Sequence, residues 1–156
     1  MANEIPALFR FQQLKTLVLR TNLIKQINDN LTMMANLTEL DLYDNQIEQI
    51  RGLNSLNSLE ILDLSYNRIR TIEGLENLTK LKRLFLVHNK ISVIQGLESA
   101  TRLKMLELGD NRIRKIENIA HLIELEELYL GKNKVECIEN LETLLKLRVL
   151  NIPVSC

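Results

Sequence analysis

Apolar residues return to the same places every 22 residues along this chain. One unit carries Leu81, Leu84, Leu86, Ile91, Ile94 and Leu97, with polar residues at most positions between them. In Leu84-Phe85-Leu86 the period is two, which points both leucines to one side of a short strand. The following Ile91, Ile94, Leu97 run has a period of three, which suits tight 3₁₀-like turns. Too few residues remain in each unit for a long helix. One unit cannot bury its leucines alone, but stacked neighbours cover them. The pattern predicts short parallel strands stacked at about 4.8 Å per step, with Leu17, Leu40, Leu62, Leu84, Leu106 and Leu128 inside.

Asparagine marks the end of each strand. Asn45, Asn67, Asn89, Asn111 and Asn133 lie 22 residues apart, and Asn22 lies 23 before the first of them. At a strand-to-turn corner the backbone loses ladder partners. A buried Asn offers donors and an acceptor to the corners above and below. The row is read as a structural ladder. Gly52, Gly74 and Gly96 share a second repeat position, followed by Asn118 and Asn140. These residue types tolerate positive φ, so the position reads as a left-handed corner. The pattern LxxLxLxxNxIxxIxxLxx is the signature of a leucine-rich repeat. The expected fold is an α/β repeat solenoid, a right-handed arc with a concave parallel sheet and a convex side of 3₁₀ or short turns. Residues 1–156 are expected to form one domain, with about six full repeats from Leu14 and a truncated seventh from Leu147.

The ends depart from the repeat. Unit one has an extra residue near Asp29-Asn30, and Ile5, Leu8 and Phe9 ahead of it are expected to cover its open face. Unit seven begins with Leu147, Leu150 and Ile152. Pro153 follows, and Ser155 stands where Asn is due. Terminal repeats need a polar cap, and none is visible. The chain therefore reads as a shortened relative or part of a longer array, with its open end available for self-association.

Charge narrows the function classes. Twenty basic and twenty acidic residues balance, which argues against a nucleic-acid or anionic-membrane partner. No apolar stretch is long enough to span a bilayer, and the N-terminus lacks a secretory pattern. Two cysteines, Cys137 and Cys156, suit a reducing compartment better than a disulfide framework. His88 and His121 occupy different repeat positions, and no His/Cys cluster has metal-ligand spacing. No nucleophile has an activating partner in the pattern, so no enzyme, metal or cofactor is expected.

Function then falls to the outward strand positions. The residue between each pair of strand leucines gives Val18, Asp41, Asp63, Phe85, Glu107, Tyr129 and Asn151 down the array. The position two earlier gives Thr16, Glu39, Ile61, Arg83, Met105, Glu127 and Val149. A solvated face would be uniformly polar. Phe85 instead sits between Asp63 and Glu107, and Tyr129 follows. Aromatics among acids at positions expected to be wet suggest a protein interface. The candidate partner-binding residues are Asp41, Asp63, Phe85, Glu107 and Tyr129.

The strings Leu40-Asp41-Leu42-Tyr43-Asp44-Asn45-Gln46-Ile47, Leu59-Glu60-Ile61-Leu62-Asp63, Leu84-Phe85-Leu86-Val87, Met105-Leu106-Glu107-Leu108-Gly109 and Leu130-Gly131-Lys132-Asn133-Lys134 resemble the protein phosphatase 1 regulatory subunit 7 family. The likeness runs from about Leu14 to Ile152. It implies a regulatory subunit that docks the catalytic subunit of type-1 serine/threonine protein phosphatase, in the nucleus and also the cytoplasm. Asp63, Phe85, Glu107 and Tyr129 stand where that family places its acid-aromatic-acid-aromatic contact series, and any catalytic metals would belong to the phosphatase. The family's remaining contacts lie in later repeats than this chain contains. The alternatives are a structural adaptor of the spliceosomal or cytoskeletal leucine-rich-repeat type, and a truncated product that no longer binds phosphatase.

Overall fold

Each unit contributes one three-residue strand with a leucine at its centre. In a computed structural model, which describes residues 1–153, these are β1 (Thr16–Val18), β2 (Glu39–Asp41), β3 (Ile61–Asp63), β4 (Arg83–Phe85), β5 (Met105–Glu107), β6 (Glu127–Tyr129) and β7 (Val149–Asn151). They form one seven-stranded sheet in chain order, every pair parallel. The register aligns Leu17, Leu40, Leu62, Leu84, Leu106, Leu128 and Leu150 across the sheet. From Leu40 to Leu128 these side chains are fully buried; Leu17 is 8% exposed and Leu150 41%. The expected solenoid is therefore present, and the central leucines close over one another as the period of 22 requires.

The convex side is plainer than the period of three implies. A single 3₁₀ turn, Asp29–Leu31, sits where unit one carries its extra residue. Elsewhere among the described residues the chain crosses in turns and bends. The amide of Leu56 bonds to the Leu53 carbonyl and that of Leu59 to Leu56. Each bond spans three residues, but the bonds start only at every third residue, so no continuous 3₁₀ ladder develops.

The glycine corners adopt the left-handed region, at φ 73° for Gly52, 69° for Gly74 and 67° for Gly96. Asn118 and Asn140 continue the row at 58° and 60°. A Cβ at Gly74 would run into the Ile50 carbonyl oxygen of the preceding unit. Asn118 uses that contact productively, since its Nδ2 donates to the Ile94 carbonyl at 2.8 Å.

Residues ahead of β1 act as a partial repeat. Ile5 is buried and its carbonyl accepts from Asn28 and Asn30. The Ala2 amide bonds to Asn22 Oδ1 at 2.7 Å, and Leu23 N donates to the Ala2 carbonyl. Leu8 packs against the core, as expected. Phe9 does not; it is 57% exposed, turned out by the Leu8–Phe11 turn, with the Arg10 guanidinium 5.8 Å from its ring centre. At the other end Leu147 and Ile152 are partly buried. Ser155 and Cys156, singled out in the sequence, lie outside the described residues.

Candidate functional site

The corner asparagines form a directional ladder. Oδ1 of Asn45, Asn67, Asn89, Asn111 and Asn133 accepts from Ile24, Ile47, Ile69, Ile91 and Ile113 respectively, each one unit earlier. Each Nδ2 donates to a carbonyl of its own corner and to one of the preceding corner. The bonds therefore reach the corner before and not, as expected, both neighbours. The reason is geometric, since each amide gives its oxygen and one donor to the preceding corner and its remaining donor to its own carbonyls. Asn22 serves the first unit, through Ala2.

The acids between the strand leucines have a second employment. The amide two residues beyond each faces away from the ladder. Tyr43 N donates to Asp41 Oδ1, Ser65 N to Asp63 Oδ1, and Gly109 N to Glu107 Oε1, at 3.1, 2.9 and 2.9 Å. In the Phe85 unit, Val87 N finds the Ser65 hydroxyl instead. A short polar side chain here completes the strand end whether or not a partner exists. That local bond is the feature sequence reasoning missed, although the i, i+2 spacing of an Asx turn was available to suggest it.

The face is less wet than the alternation predicts. Asp41 is only 6% exposed, a correction to its expected accessibility. Arg20 covers it, with Nε 2.5 Å from Oδ2. The same guanidinium reaches Asp63 at 3.8 Å and lies 5.1 Å from the Tyr43 ring centre. Phe85 and Tyr129 are partly buried, not freely exposed. In-register neighbours flank each ring at strand spacing, and the Arg83 guanidinium lies 5.6 Å from the Phe85 ring centre. Between Arg20 and Arg83 a shallow depression is floored by Asp41, Ile61, Asp63 and Phe85.

Burial sets the carboxylates' acidity. Desolvation pushes Asp63 above the ordinary Asp value, opposed by the Ser65 amide and by Arg20. Glu107 is pushed up by the same cause and held back by the Gly109 amide. Tyr129 donates its hydroxyl to Glu127 at 2.7 Å, which raises the phenol above its usual value. Among the described residues neither Glu107 nor Glu127 forms an ion pair with a basic side chain. Glu127, outside the predicted site, thus belongs to the same patch as Tyr129.

A row of rings lines the strand ends beside this face. Tyr43 and Tyr66 lie 4.9 Å apart, Tyr66 stacks on His88 at 4.7 Å, and His88 Nδ1 meets Asp110 Oδ2 at 2.6 Å. His121 is far from this row in the repeat and bonds to the Leu97 carbonyl. Among the described residues no three His, Cys, Asp or Glu side chains gather as a metal site. Among the described residues no helix is long and apolar enough to cross a membrane.

The arrangement is an extended surface of acids and rings along adjacent strands. The leucine-rich-repeat profile (Leucine Rich repeats, 2 copies) matches residues 35–77 and 79–121, more than half the chain. No curated protein matches. Among solved structures the chain is similar to an internalin (inlF) from Listeria monocytogenes, at 26% identity and a TM-score of 0.76 over 94% of this chain. It spans 50% of that protein's length. An internalin C2 (inlC2) from the same organism matches at 26% identity and a TM-score of 0.74, covering 92% of this chain and 74% of its own.

Proposed function

The chain belongs to the leucine-rich-repeat family, and we propose that it is a non-catalytic regulatory subunit whose concave face docks the catalytic subunit of a type-1 serine/threonine phosphatase. A parallel solenoid of this kind is a protein-binding scaffold, built to offer one extended surface. The finer reading rests on one observation. Asp63, Phe85, Glu107 and Tyr129 stand side by side on β3 to β6, each paired in register with the next. Three strand steps cover about 14 Å, within the reach of one docked patch. The rings supply apolar anchors, held by their neighbours and so losing little freedom on binding. Glu107 and Glu127 supply negative charge that favours approach of a basic surface. Docking would bias substrate access, maturation or location of the phosphatase, in the nucleus and the cytoplasm. Asp41 is a weaker contact in this reading, because Arg20 already covers it.

The test is a titration of purified catalytic subunit against the wild-type chain and Phe85→Ala. Loss of an aromatic anchor typically costs about 2 kcal/mol or more, so the variant is expected to bind roughly thirtyfold more weakly with an unchanged circular dichroism spectrum. Equal affinities would remove the concave-face mechanism. Failure of the wild type to bind would remove the phosphatase reading.

A further inference from the structure

The residue after each corner asparagine breaks a pairing rule kept elsewhere on the surface. Lys82 meets Glu60 of the adjacent unit at 2.7 Å, Lys104 meets Glu126 at 3.0 Å, and Lys146 meets Glu124 at 2.7 Å. After the asparagines stand Arg68, Lys90, Arg112 and Lys134, one on each of four successive units. Among the described residues none of these four forms an ion pair. Arg68, Arg112 and Lys134 are exposed, and Lys90 is partly buried. Stacked units lie about 4.8 Å apart, well within the Debye length of about 8 Å at physiological salt, so the four charges repel one another. The fold does not ask for them. Each backbone N–H at this position bonds to a carbonyl of the preceding unit, at 2.8 or 2.9 Å, and Gln46 makes the same bond with an uncharged side chain.

The strip is also isolated by sign. Residues 68–70, 90–92, 112–114 and 134–136 hold six cations and one acid, Glu136, in a chain whose total charge is zero. That acid already faces Arg114 at 3.9 Å. Ile69, Ile91, Ile113 and Val135 are buried at the centres of these segments, which turns the residues on either side outward. The segments follow the corner, so they line the lateral edge of the solenoid and not its concave face. We propose that this edge is a second docking surface, for a short, extended, Asp/Glu-rich segment of a protein partner. Charge and length select that occupant. Four cations in line over three steps cover about 14 Å, the span of about four extended residues. Arginine takes a carboxylate through paired N–H bonds, and clusters of it recognise acidic motifs. A nucleic acid or an anionic membrane calls for a wider positive field, and Glu48 and Glu136 bound this strip at its two ends.

The probe is fluorescent hexaglutamate, titrated into wild type, Lys90→Gln/Arg112→Gln and the control Lys82→Gln/Lys104→Gln. Both double variants lose two cations, but only the first pair lies in the strip. Wild type is expected to bind hexaglutamate at low salt and to release it as salt rises. The strip variant should bind roughly tenfold more weakly, while the control stays within about twofold of wild type. Equal weakening by both variants overturns the strip, because net charge alone then explains the binding. So does a wild type that ignores the peptide. An oligothymidylate of matched charge is the second probe. If it binds more tightly than hexaglutamate and loses that affinity in the strip variant, the edge is a nucleic-acid surface and the proposal falls. Thermal melts supply the folding control. Removing two mutually repelling charges should leave the strip variant melting at or above wild type in low salt, with the difference closing in high salt. A lower melting temperature in low salt would mean that the cations are satisfied within the chain, and the edge is then no docking surface. None of these outcomes depends on phosphatase binding at the concave face.

Discussion

Asn89 Oδ1 accepts the backbone N–H of Ile69, one unit earlier, at 2.9 Å. Its Nδ2 donates to the Leu64, Leu86 and Val87 carbonyls. Those carbonyls keep other donors, from Asn67, Asn111 and Tyr66, but Ile69 N has no replacement. Asn89→Ala is therefore expected to cost about 1–3 kcal/mol, the desolvation of one buried donor. Asn89→Asp keeps the acceptor yet turns a buried carboxylate toward three carbonyl oxygens. It should melt below the Ala variant at neutral pH and recover in acid as the carboxyl gains a proton and becomes a donor. Thermal melts of the two variants at neutral and acid pH check this, and equal melting throughout would contradict the ladder's polarity.

At the Gly74 corner the expected order is Gly, then Asn, then Val. The φ of 69° penalises any side chain, and a Cβ meets the Ile50 carbonyl. Asn at the equivalent position of a later unit turns the same closeness into a hydrogen bond, as Asn118 does with Ile94. Val has neither a polar group to offer nor tolerance for this backbone. Unfolding free energies from denaturant titration of Gly74→Asn and Gly74→Val should differ by about 1 kcal/mol or more, the cost of the left-handed region for an ordinary residue. Matching free energies would mean the corner relaxes.

The fold was legible because its two rules are local. Leu84-Phe85-Leu86 announces a strand in three residues, and the stack follows from repetition. The glycine corners were legible for the same reason, since only one backbone region explains Gly52, Gly74 and Gly96 at one position. What lay hidden involves residues a unit apart. Nothing in Asp41 alone says that Arg20 covers it, because the pairing depends on how one unit is offset from the next. Phe85 likewise becomes partly buried only through its neighbours on β3 and β5. Phe9 carried an apolar label, but the turn from Leu8 to Phe11 decided its direction.

Asp63 shows a carboxylate whose burial opposes its charge. Its folded-state acidity is weakened relative to the ordinary value of 3.8. A carboxyl raised in the fold favours folding when protonated, so its stabilising effect is present below the ordinary value and is lost as pH rises through the raised one. Asp63→Asn keeps an acceptor for Ser65 N and removes the buried charge. The variant is expected to equal or slightly exceed wild type in melting temperature at neutral pH, by a few degrees at most. That advantage should disappear as pH falls below the ordinary carboxylate range. Meanwhile its binding to a basic partner should weaken, with an effect that shrinks in high salt. A clear loss of stability at neutral pH would show that the Arg20 attraction outweighs desolvation.

Tyr129 separates the ring's contribution from that of its hydroxyl. The hydroxyl is already committed to Glu127 at 2.7 Å. Removing it frees Glu127 and leaves the ring in place. Tyr129→Phe is therefore expected to change partner affinity by less than about threefold, whereas Tyr129→Ala should weaken it by tenfold or more. If Phe and Ala weaken binding equally, the hydroxyl itself contacts the partner.

β7 is held from one side among the described residues. Its three residues are all exposed, Leu150 at 41% and Val149 at 38%, and nearby Leu145 is 89% exposed. The strand is attached to β6 in register, and Arg148 and Val149 amides both reach the Glu126 carbonyl. By contrast β4 has neighbours on both edges and a fully buried Leu84. A solenoid's stability sums contacts between adjacent units, so a unit with one neighbour opens at lower free energy than one with two. Amide hydrogen exchange is expected to be fastest around Leu147 to Asn151 and slowest across β3 to β5. Dilution supplies the control. If protection of β7 rises with protein concentration, a second copy is covering Val149 and Leu150, and Val149→Glu should abolish that rise. Protection of β7 equal to β4 at every concentration would mean that the sheet edge is held within the chain by contacts stronger than one-sided stacking provides.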